Sequence, residues 1–209
     1  MKKRRFFANE NQKCSQEYGY ADRCIKVERA FEIALDGMQF DWQNDSNMRE
    51  TPRRMARMYM NELFKGCYEP EPKFTVFPNT KKYDEMVLLK DVRLVSTCSH
   101  HLQPFTGVCH IGYLPSPKGY ICGISKLARI VKWFASRPQI QEELTTQIAE
   151  YLQDKLKPLG VVVIIEATHG CMTNRGVMEY NSKMVTSKML GVFKTKPEAR
   201  AEVMSLIRG

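Results

Sequence analysis

The chain has 209 residues, of which 43% are hydrophobic, and a formal net charge of +9. This length suits one domain and the hydrophobic share can form a core, which excludes a disordered chain. The positive charge favours an acidic partner such as nucleic acid, an anionic membrane or a phosphorylated small molecule. Charge alone does not choose among these three.

The seven cysteines are odd in number and scattered, which fits no disulfide framework of a small secreted protein. The basic start MKKRR is not followed by the apolar segment of a signal peptide, because Asn9 and Glu10 come soon after two phenylalanines. No run of about 18 apolar residues occurs, so no membrane span is expected. We therefore expect a cytoplasmic protein.

The first part of the chain predicts an arm without sustained periodicity, followed by two helices. The first helix ends near Gly37. The second is predicted by TPRRMARMYMNELFKG, with Pro52 in its first turn and Gly66 at its end. Arg54 and Arg57 share a face of this helix, where they form either a solvated edge or an anion site.

The rest of the chain predicts two strands, two helices, two more strands and a closing helix. In chain order the stretches are EMVLLKDVRLVSTC, PFTGVCHIGYLP, ISKLARIVKWFASR, QIQEELTTQIAEYLQDKLK, GVVVIIEATHGC, SKMVTSKMLGVF and PEARAEVMSLIRG. Because two strands follow each other directly, an antiparallel hairpin and an α+β architecture are expected. Helices on one face would leave the other face for a partner subunit to cover.

Potential zinc ligands lie at the ends of predicted strands. Cys98 and His101 have the C-x2-H spacing that lets two ligands reach one metal from a turn. With Cys171 they would form a three-ligand site that leaves a fourth position for water, as in catalytic zinc sites. A structural site would need a fourth ligand, for which the candidates are His100, His169, Cys109 and His110.

Two of the histidines are candidates for proton transfer. His169 and Cys171 are two apart at the end of a predicted strand, so both are expected on one face. Imidazoles beside an activated water can transfer protons near neutral pH, and His100 and His169 suit that role. The alternative is that either one is a hydrogen-bonded core histidine. Cys109 and the residue after it face opposite ways on a strand, and both are interpreted as packing.

Basic residues accompany this cluster. Lys126 and Arg129 are three apart at the start of a helix that Ser125 can cap, and Arg175 lies four residues beyond Cys171. The alternative for each is a solvated helix face. Together with the two arginines of the second helix, these residues indicate a polyphosphate substrate.

A carboxylate at the first turn of another helix suggests what the polyphosphate carries. Gln141 and Glu142 occupy this turn. A carboxylate can accept hydrogen bonds from the N1–H and the exocyclic amino group of guanine. A purine triphosphate would use both this acid and the basic residues.

Five ordered blocks resemble the signatures of the GTP cyclohydrolase I family, from about residue 25 to the C-terminus. The blocks are TPRRMARMYMNELFKG, STCSHHLQPFTGVCHIGYLP, GISKLARIVKWFASRPQIQEELTTQIA, EATHGCMTNRG and SKMVTSKMLGVF. The resemblance implies a tunnelling fold, an antiparallel sheet with helices on one face, that assembles into a toroidal homodecamer with active sites at subunit interfaces. It implies a Zn2+-dependent hydrolase that converts GTP and water to 7,8-dihydroneopterin triphosphate and formate.

The resemblance also assigns roles by position. The implied zinc ligands are Cys98, His101 and Cys171, and the implied catalytic residues are His100, His169 and Ser125. The implied substrate-binding residues are Gln141 and Glu142 for guanine, and Lys126, Arg129, Arg175, Arg54 and Arg57 for the ribose and triphosphate. The resemblance implies that a neighbouring subunit contributes Arg54 and Arg57. Ser99 departs from the family pattern, which commonly has Glu there, but removes no ligand.

We expect a flexible arm at residues 1–21, a helical segment at 22–70 and a tunnelling-fold catalytic domain at 71–209. In the hypothesised mechanism, zinc activates a water for attack at C8 of guanine, His169 protonates N7, and His100 assists opening of the ribose. The product would feed folate, another pterin or 7-deazaguanine.

Two other classes of protein compete with this interpretation. Another tunnelling-fold enzyme, such as a nitrile reductase or a pterin synthase, would use a different nucleophile or three histidine ligands, which the Cys, His, Cys set argues against. A nucleic-acid-binding protein with a structural zinc would need a closed site, and the chain lacks the interleaved aromatic and basic residues of single-strand binders. No nucleic acid partner is expected.

Overall fold

The computed structural model describes residues 19–209 and begins with helices. Helix α1 spans Tyr20–Gly37, and helix α2 spans Thr51–Arg57 with Pro52 in its first turn. Helix α2 continues as a π-helical turn over Met58–Leu63, and the short helix α3, Lys65–Tyr68, follows. The predicted second helix is therefore confirmed, but it widens in its second half. The predicted arm lies almost wholly outside the described residues.

The centre of the fold is a five-stranded sheet. Its main strands are β2 (Val87–Cys98), β3 (Pro104–Leu114), β6 (Gly160–His169) and β7 (Met184–Gly191). They are antiparallel neighbours in the order β2, β3, β6, β7, and the two-residue β5, Pro138–Gln139, pairs parallel to β2 at the edge. A small second sheet pairs β1 (Val76–Pro78) with β4 (Tyr120–Cys122). The predicted hairpin and α+β class are confirmed, whereas the three short strands were not predicted.

Two long helices cover one face of this sheet. Helix α4 spans Ile124–Ala135 and helix α5 spans Gln141–Leu156. The apolar stripe of α5, predicted from its spacing, is fully buried, and it packs with inward residues of β3 and β6 into the main core. Burial of such aliphatic side chains contributes about 1.5–3 kcal/mol each. This core makes one end of the sheet a rigid support for the loops that follow Cys98 and His169.

The opposite face is partly covered by the C-terminus, which corrects the expectation that helices lie on one face only. After the turn α7, Val192–Thr195, helix α8 spans Pro197–Arg208. Its Val203 packs with Val162 and Ile164 of β6 in a second, smaller core. Strand β6 has apolar residues at consecutive positions, so both its faces need cover. The remainder of this face is open, with Val95 and Val185 about half exposed.

One local prediction at helix α4 is wrong. Ser125 does not cap the helix, because Gly123 is the N-cap, Ser125 lies within the first turn, and no side chain bonds the helix N-terminus there. No helix within residues 19–209 is long and apolar enough to cross a bilayer. Among the described cysteines, the free thiols include Cys24, Cys98, Cys109, Cys122 and Cys171.

Candidate metal centre and active site

Cys98, His101 and Cys171 converge at one end of the sheet. One ligand atom from each lies within 4.8 Å of the others, and they are the one group of three metal-ligand side chains found among the described residues. The first two residues are brought together by the tight turn between β2 and β3. In this turn the Leu102 N–H donates to the Cys98 carbonyl over 2.9 Å, and the Cys98 N–H donates to the Gln103 carbonyl over 2.9 Å.

Cys171 reaches the site from a helical turn and not from the strand. Strand β6 ends at His169, and Cys171 lies in the short helix α6, Gly170–Thr173. The prediction that strand alternation places His169 and Cys171 on one face is therefore wrong. The two residues still meet at the site, because pairing of His169 with Phe105 sets the end of β6 beside the β2–β3 turn.

The donor set fits a zinc ion. Two thiols and one imidazole are ligands that zinc prefers, and three protein ligands leave a position for water or substrate. Burial, followed by the effect of neighbouring Cys98, raises the pKa of the Cys171 thiol above its usual value. Two adjacent thiols resist joint ionisation, and a divalent cation between them removes that repulsion. Cys98 is buried whereas His101 is exposed, so the site opens towards solvent.

His169 is held on two sides. Its ring stacks on Phe105 with centroids 4.6 Å apart and planes 9° from parallel. Its Nε2 lies 2.9 Å from Oε1 of Gln141. Burial lowers the pKa of His169 below its usual value, while the Glu142 carboxylate acts in the opposite direction. A ring that is oriented in this way and neutral near pH 7 suits proton transfer.

His100 lies at the same cluster. Its Nδ1 is 3.7 Å from the sulfur of Cys98, and the centroids of the His100 and His101 rings are 6.4 Å apart. The side chain is exposed, in contrast to the half-buried His169. His100 can therefore contact a bound molecule without movement of the core.

Gln141 and Glu142 differ sharply in their surroundings although they are neighbours at the start of α5. Glu142 is exposed and close enough to His169 to affect its pKa. Gln141 is fully buried, and its amide is bonded to strands β6 and β7 as well as to His169. The expectation that Gln141 contacts guanine directly is at odds with this burial, whereas Glu142 is free to do so.

The predicted phosphate-binding residues are less closely assembled. Arg175 is near enough to Cys171 to lower the pKa of that thiol, against the larger effects that raise it. The Lys126 ammonium donates to the carbonyl of Lys73 over 2.9 Å, and Arg54 donates to the carbonyl of Asn47 over 3.4 Å. In the described part of the chain, no hydrogen bond or ion pair joins these side chains, or Ser125, Arg129 and Arg57, to the metal cluster.

Sequence reasoning missed three residues around His169. Phe105 covers one face of its ring, and Thr145 and Thr186 bond with Gln141 behind it. Phe105 was detectable in principle, because an aromatic residue beside Pro104 begins the strand that faces β6. No signal marks the threonines, since their contact depends on the register of β7 against β6 and on the position of α5.

Comparisons with known proteins identify close relatives over most of the chain. A family model described as GTP cyclohydrolase I matches residues 27–208. A GTP cyclohydrolase 1 of Carboxydothermus hydrogenoformans is 46% identical over 182 residues, which are 87% of this chain and 93% of the relative. A GTP cyclohydrolase 1 of Streptomyces griseus is 52% identical over 161 residues, which are 77% of this chain and 79% of the relative.

A solved structure titled as the archaeosine synthase QueF-Like in the apo form shows a weak likeness. It covers 51% of this chain and 93% of that chain, with a TM-score of 0.39 and 19% sequence identity. A likeness at this level supports no argument about the fold or the site.

Proposed function

The chain belongs to the GTP cyclohydrolase I family, and we propose on this basis that it converts GTP and water to 7,8-dihydroneopterin triphosphate and formate. The observation that carries the proposal is the convergence of Cys98, His101 and Cys171 beside an oriented His169. The first water opens the imidazole ring of guanine at C8, and the second releases C8 as formate. Closure of the pterin ring returns one water, so the net reaction consumes one.

Cys98, His101 and Cys171 would hold zinc, as their donor types and separation allow. When bound, zinc supplies Lewis-acid activation of a water for the attack at C8. Zinc itself, as opposed to another divalent ion that these ligands accept, is part of the proposal.

The side chains around the cluster divide the remaining tasks. His169 delivers a proton to N7 of the guanine as the ring opens, and its stacking on Phe105 keeps the ring in one orientation. His100, exposed at the rim, assists the opening of the ribose. Glu142 accepts hydrogen bonds from the N1–H and the amino group of guanine.

Basic residues would bind the triphosphate and the ribose. Arg175 is the one whose charge acts on the cluster in this structure. Lys126, Arg129 and Ser125 lie at the start of α4, where the helix N-terminus also favours anions. Arg54 and Arg57 have no hydrogen bond or ion pair to the cluster within residues 19–209, and we assign them to the site of a neighbouring subunit.

A tunnelling fold assembled into a toroidal homodecamer, with active sites at the interfaces, completes the proposal. Its support in this chain is the apolar surface left open around the site. Exposed apolar side chains rim it at Leu102, Met172, Val177 and Met178. Large apolar side chains beside a polar site are typical of subunit contacts. Light scattering should give a mass near ten chains, and a monomer would contradict the assembly.

A cytoplasmic location remains part of the proposal and rests on the odd number and scatter of the cysteines. The product class, a dihydropterin triphosphate, is compatible with synthesis of folate, of another pterin or of 7-deazaguanine.

One incubation tests the proposed function. Purified, zinc-loaded, assembled protein is mixed with GTP, and formate and the fluorescent oxidised pterin are measured with and without a chelator. We expect both products, their loss with the chelator, and their return when zinc is restored. Absence of product from a zinc-replete assembly would overturn the proposal.

A further inference from the structure

The buried amide of Gln141 can be oriented in only one way. Its Nε2 lies 3.0 Å from the carbonyl oxygen of Ile165 and 3.1 Å from that of Met184. A backbone carbonyl accepts hydrogen bonds and donates none, so the amide nitrogen must occupy this position. The amide oxygen of Gln141 therefore faces His169, 2.9 Å from Nε2.

Two threonines continue the hydrogen-bond network on the side of Gln141 that faces away from His169. The Thr145 hydroxyl is 2.7 Å from the backbone oxygen of Gln141 and 2.6 Å from the Thr186 hydroxyl. Gln141 Nε2 is also 3.1 Å from Thr186 Oγ1. With the amide donating to Thr186, the Thr186 hydroxyl can donate to Thr145, which in turn donates to the Gln141 backbone. Each hydroxyl then both donates and accepts, as buried hydroxyls do.

The consequence for His169 follows from the fixed acceptor in front of it. An amide oxygen can only accept, so Nε2 of His169 must carry a proton. In the neutral ring the lone pair then lies on Nδ1, and no group among residues 19–209 bonds that nitrogen. The ring cannot rotate out of this plane without losing its stacking contact with Phe105, which costs free energy.

We propose that Gln141 is a positioning residue that holds His169 with a proton on Nε2 and presents Nδ1 to the substrate, with Thr186 and Thr145 orienting the amide. Nδ1 is then the atom that takes up the proton lost by the attacking water and passes it to N7 of the guanine. Between uptake and release of this proton the His169 ring is doubly protonated. The Gln141 oxygen stabilises that form by accepting from Nε2–H, while the guanine accepts from Nδ1–H. The part of this inference that concerns turnover rests on the proposed function; the tautomer does not.

Gln141 and Glu142 are adjacent in the sequence, but we expect their loss to have different effects. Glu142 is exposed, and in the proposed function it contacts guanine, so its loss weakens guanine binding. Gln141 has no exposed surface, so its loss acts through His169 and changes the rate more than the affinity.

The tautomer can be measured on the unmodified protein. His169 precedes Gly170, and none of the other three histidines precedes a glycine. Protein labelled with 13C,15N-histidine and 15N-glycine therefore gives one His–Gly backbone correlation in magic-angle-spinning NMR, which assigns the His169 ring. At about pH 8.5, above the usual histidine pKa, we expect the Nε2–H form. An Nδ1–H form in the zinc-loaded, GTP-free assembly would overturn the proposal.

Kinetics of paired variants test the role in turnover. For Gln141→Met we expect kcat to fall at least about tenfold while KM for GTP changes less than about threefold. A rise in KM at unchanged kcat would instead make Gln141 a guanine contact and overturn the positioning role. For Thr186→Val, which removes one acceptor of the amide, we expect kcat to fall about two- to tenfold.

Thr186→Ser is the matched control, because it keeps the hydroxyl and should restore the wild-type kcat. Equal kcat values for Thr186→Val and Thr186→Ser would exclude the threonine from the mechanism. If Gln141→Met fails to assemble, the wild-type NMR spectrum still tests the tautomer of His169. The comparison of Thr186→Val with Thr186→Ser still tests the positioning role. If wild-type protein makes no formate, the proposed function fails, whereas the spectrum still tests the tautomer.

Discussion

At the scale of single residues, the proposed function separates side chains that would hold a metal from side chains that would move protons. Cys98, His101 and Cys171 meet within 4.8 Å, while His169 turns its Nε2 away to Gln141. His169 is not among the side chains whose ligand atoms meet at this cluster, which leaves its ring available as a proton carrier. Loss of a ligand and loss of the proton carrier should therefore differ in their effect on zinc content.

The His169→Ala variant should lose most of the activity and keep its zinc. General acid–base catalysis contributes about 10²- to 10⁴-fold, so the rate of formate release should fall by that order. Rate and zinc content are measured on the same assembled sample. His110→Ala is the control, because His110 is buried on the opposite face beside Asp91 and its loss leaves the rate per assembled subunit unchanged. Wild-type formate release from zinc-loaded His169→Ala protein would contradict the assignment.

The Cys171→Ala variant should lose zinc, because two remaining ligands bind a metal far more weakly than three. Elemental analysis after dialysis should show less than about a tenth of the wild-type zinc content, and formate release should fall with it. Cys122→Ala removes another partly buried free thiol outside the cluster and should retain full zinc. Equal zinc content in both variants would exclude Cys171 as a ligand.

At the scale of elements, the site depends on how closely β3 and β6 approach each other. The pairing of Phe105 with His169 sets the position of the His169 ring, and Gly107 pairs with Ala167 two positions further in. A Cβ added at Gly107 would lie 1.9 Å from the carbonyl oxygen of Glu166. The absence of a side chain at Gly107 therefore allows the strands to carry both Phe105 and His169 in register.

Gly107→Ala should destabilise the fold by about 1–3 kcal/mol, since backbone atoms cannot move aside as a flexible side chain would. Thermal unfolding measures this as a lower midpoint. Gly37→Ala is the matched control, because nothing lies within 4 Å of its added Cβ at the end of α1. That change should be neutral or stabilising by up to about 1 kcal/mol. Equal midpoints for the two variants would contradict the close approach of the strands.

At the scale of the whole molecule, the net charge of +9 matches a substrate that carries a triphosphate. Most of the predicted phosphate-binding side chains are exposed. Within residues 19–209, none of them forms an ion pair with a carboxylate beside the metal cluster. Attraction of GTP to such a surface acts over distance and is therefore sensitive to salt.

Raising the salt concentration should raise KM for GTP while kcat changes little. The screening length falls from about 10 Å at 0.1 M to about 3 Å at 1 M. This weakens the attraction between the exposed positive charges and GTP before the two make contact. We expect KM to rise at least about threefold over this range. Light scattering at each concentration checks that the assembly persists, and sucrose at equal osmolality is the control. An unchanged KM would indicate that the net positive charge does not serve to attract GTP and that it acts on another partner.

Much of the site was predictable from the residues because zinc chemistry restricts ligand types. Few side chains bind zinc, and in this chain they occur at strand ends with the spacing of a turn. The family resemblance then assigned the ligands, and the structure brings the same three together. Hydrophobic periodicity likewise predicted the long strands and helices, since the buried face of each element repeats along the chain.

The sequence by itself determined the C-x2-H pair of Cys98 and His101, the element order and the antiparallel hairpin, because these depend on residue type and on short spacings. Only the tertiary structure decided that Gln141 is buried behind His169, that Thr186 supports it from β7, and that α8 covers part of the second face. These contacts join residues up to 45 positions apart, as between Gln141 and Thr186. Such distant pairs are set by strand register and helix packing, which no local pattern along the chain encodes.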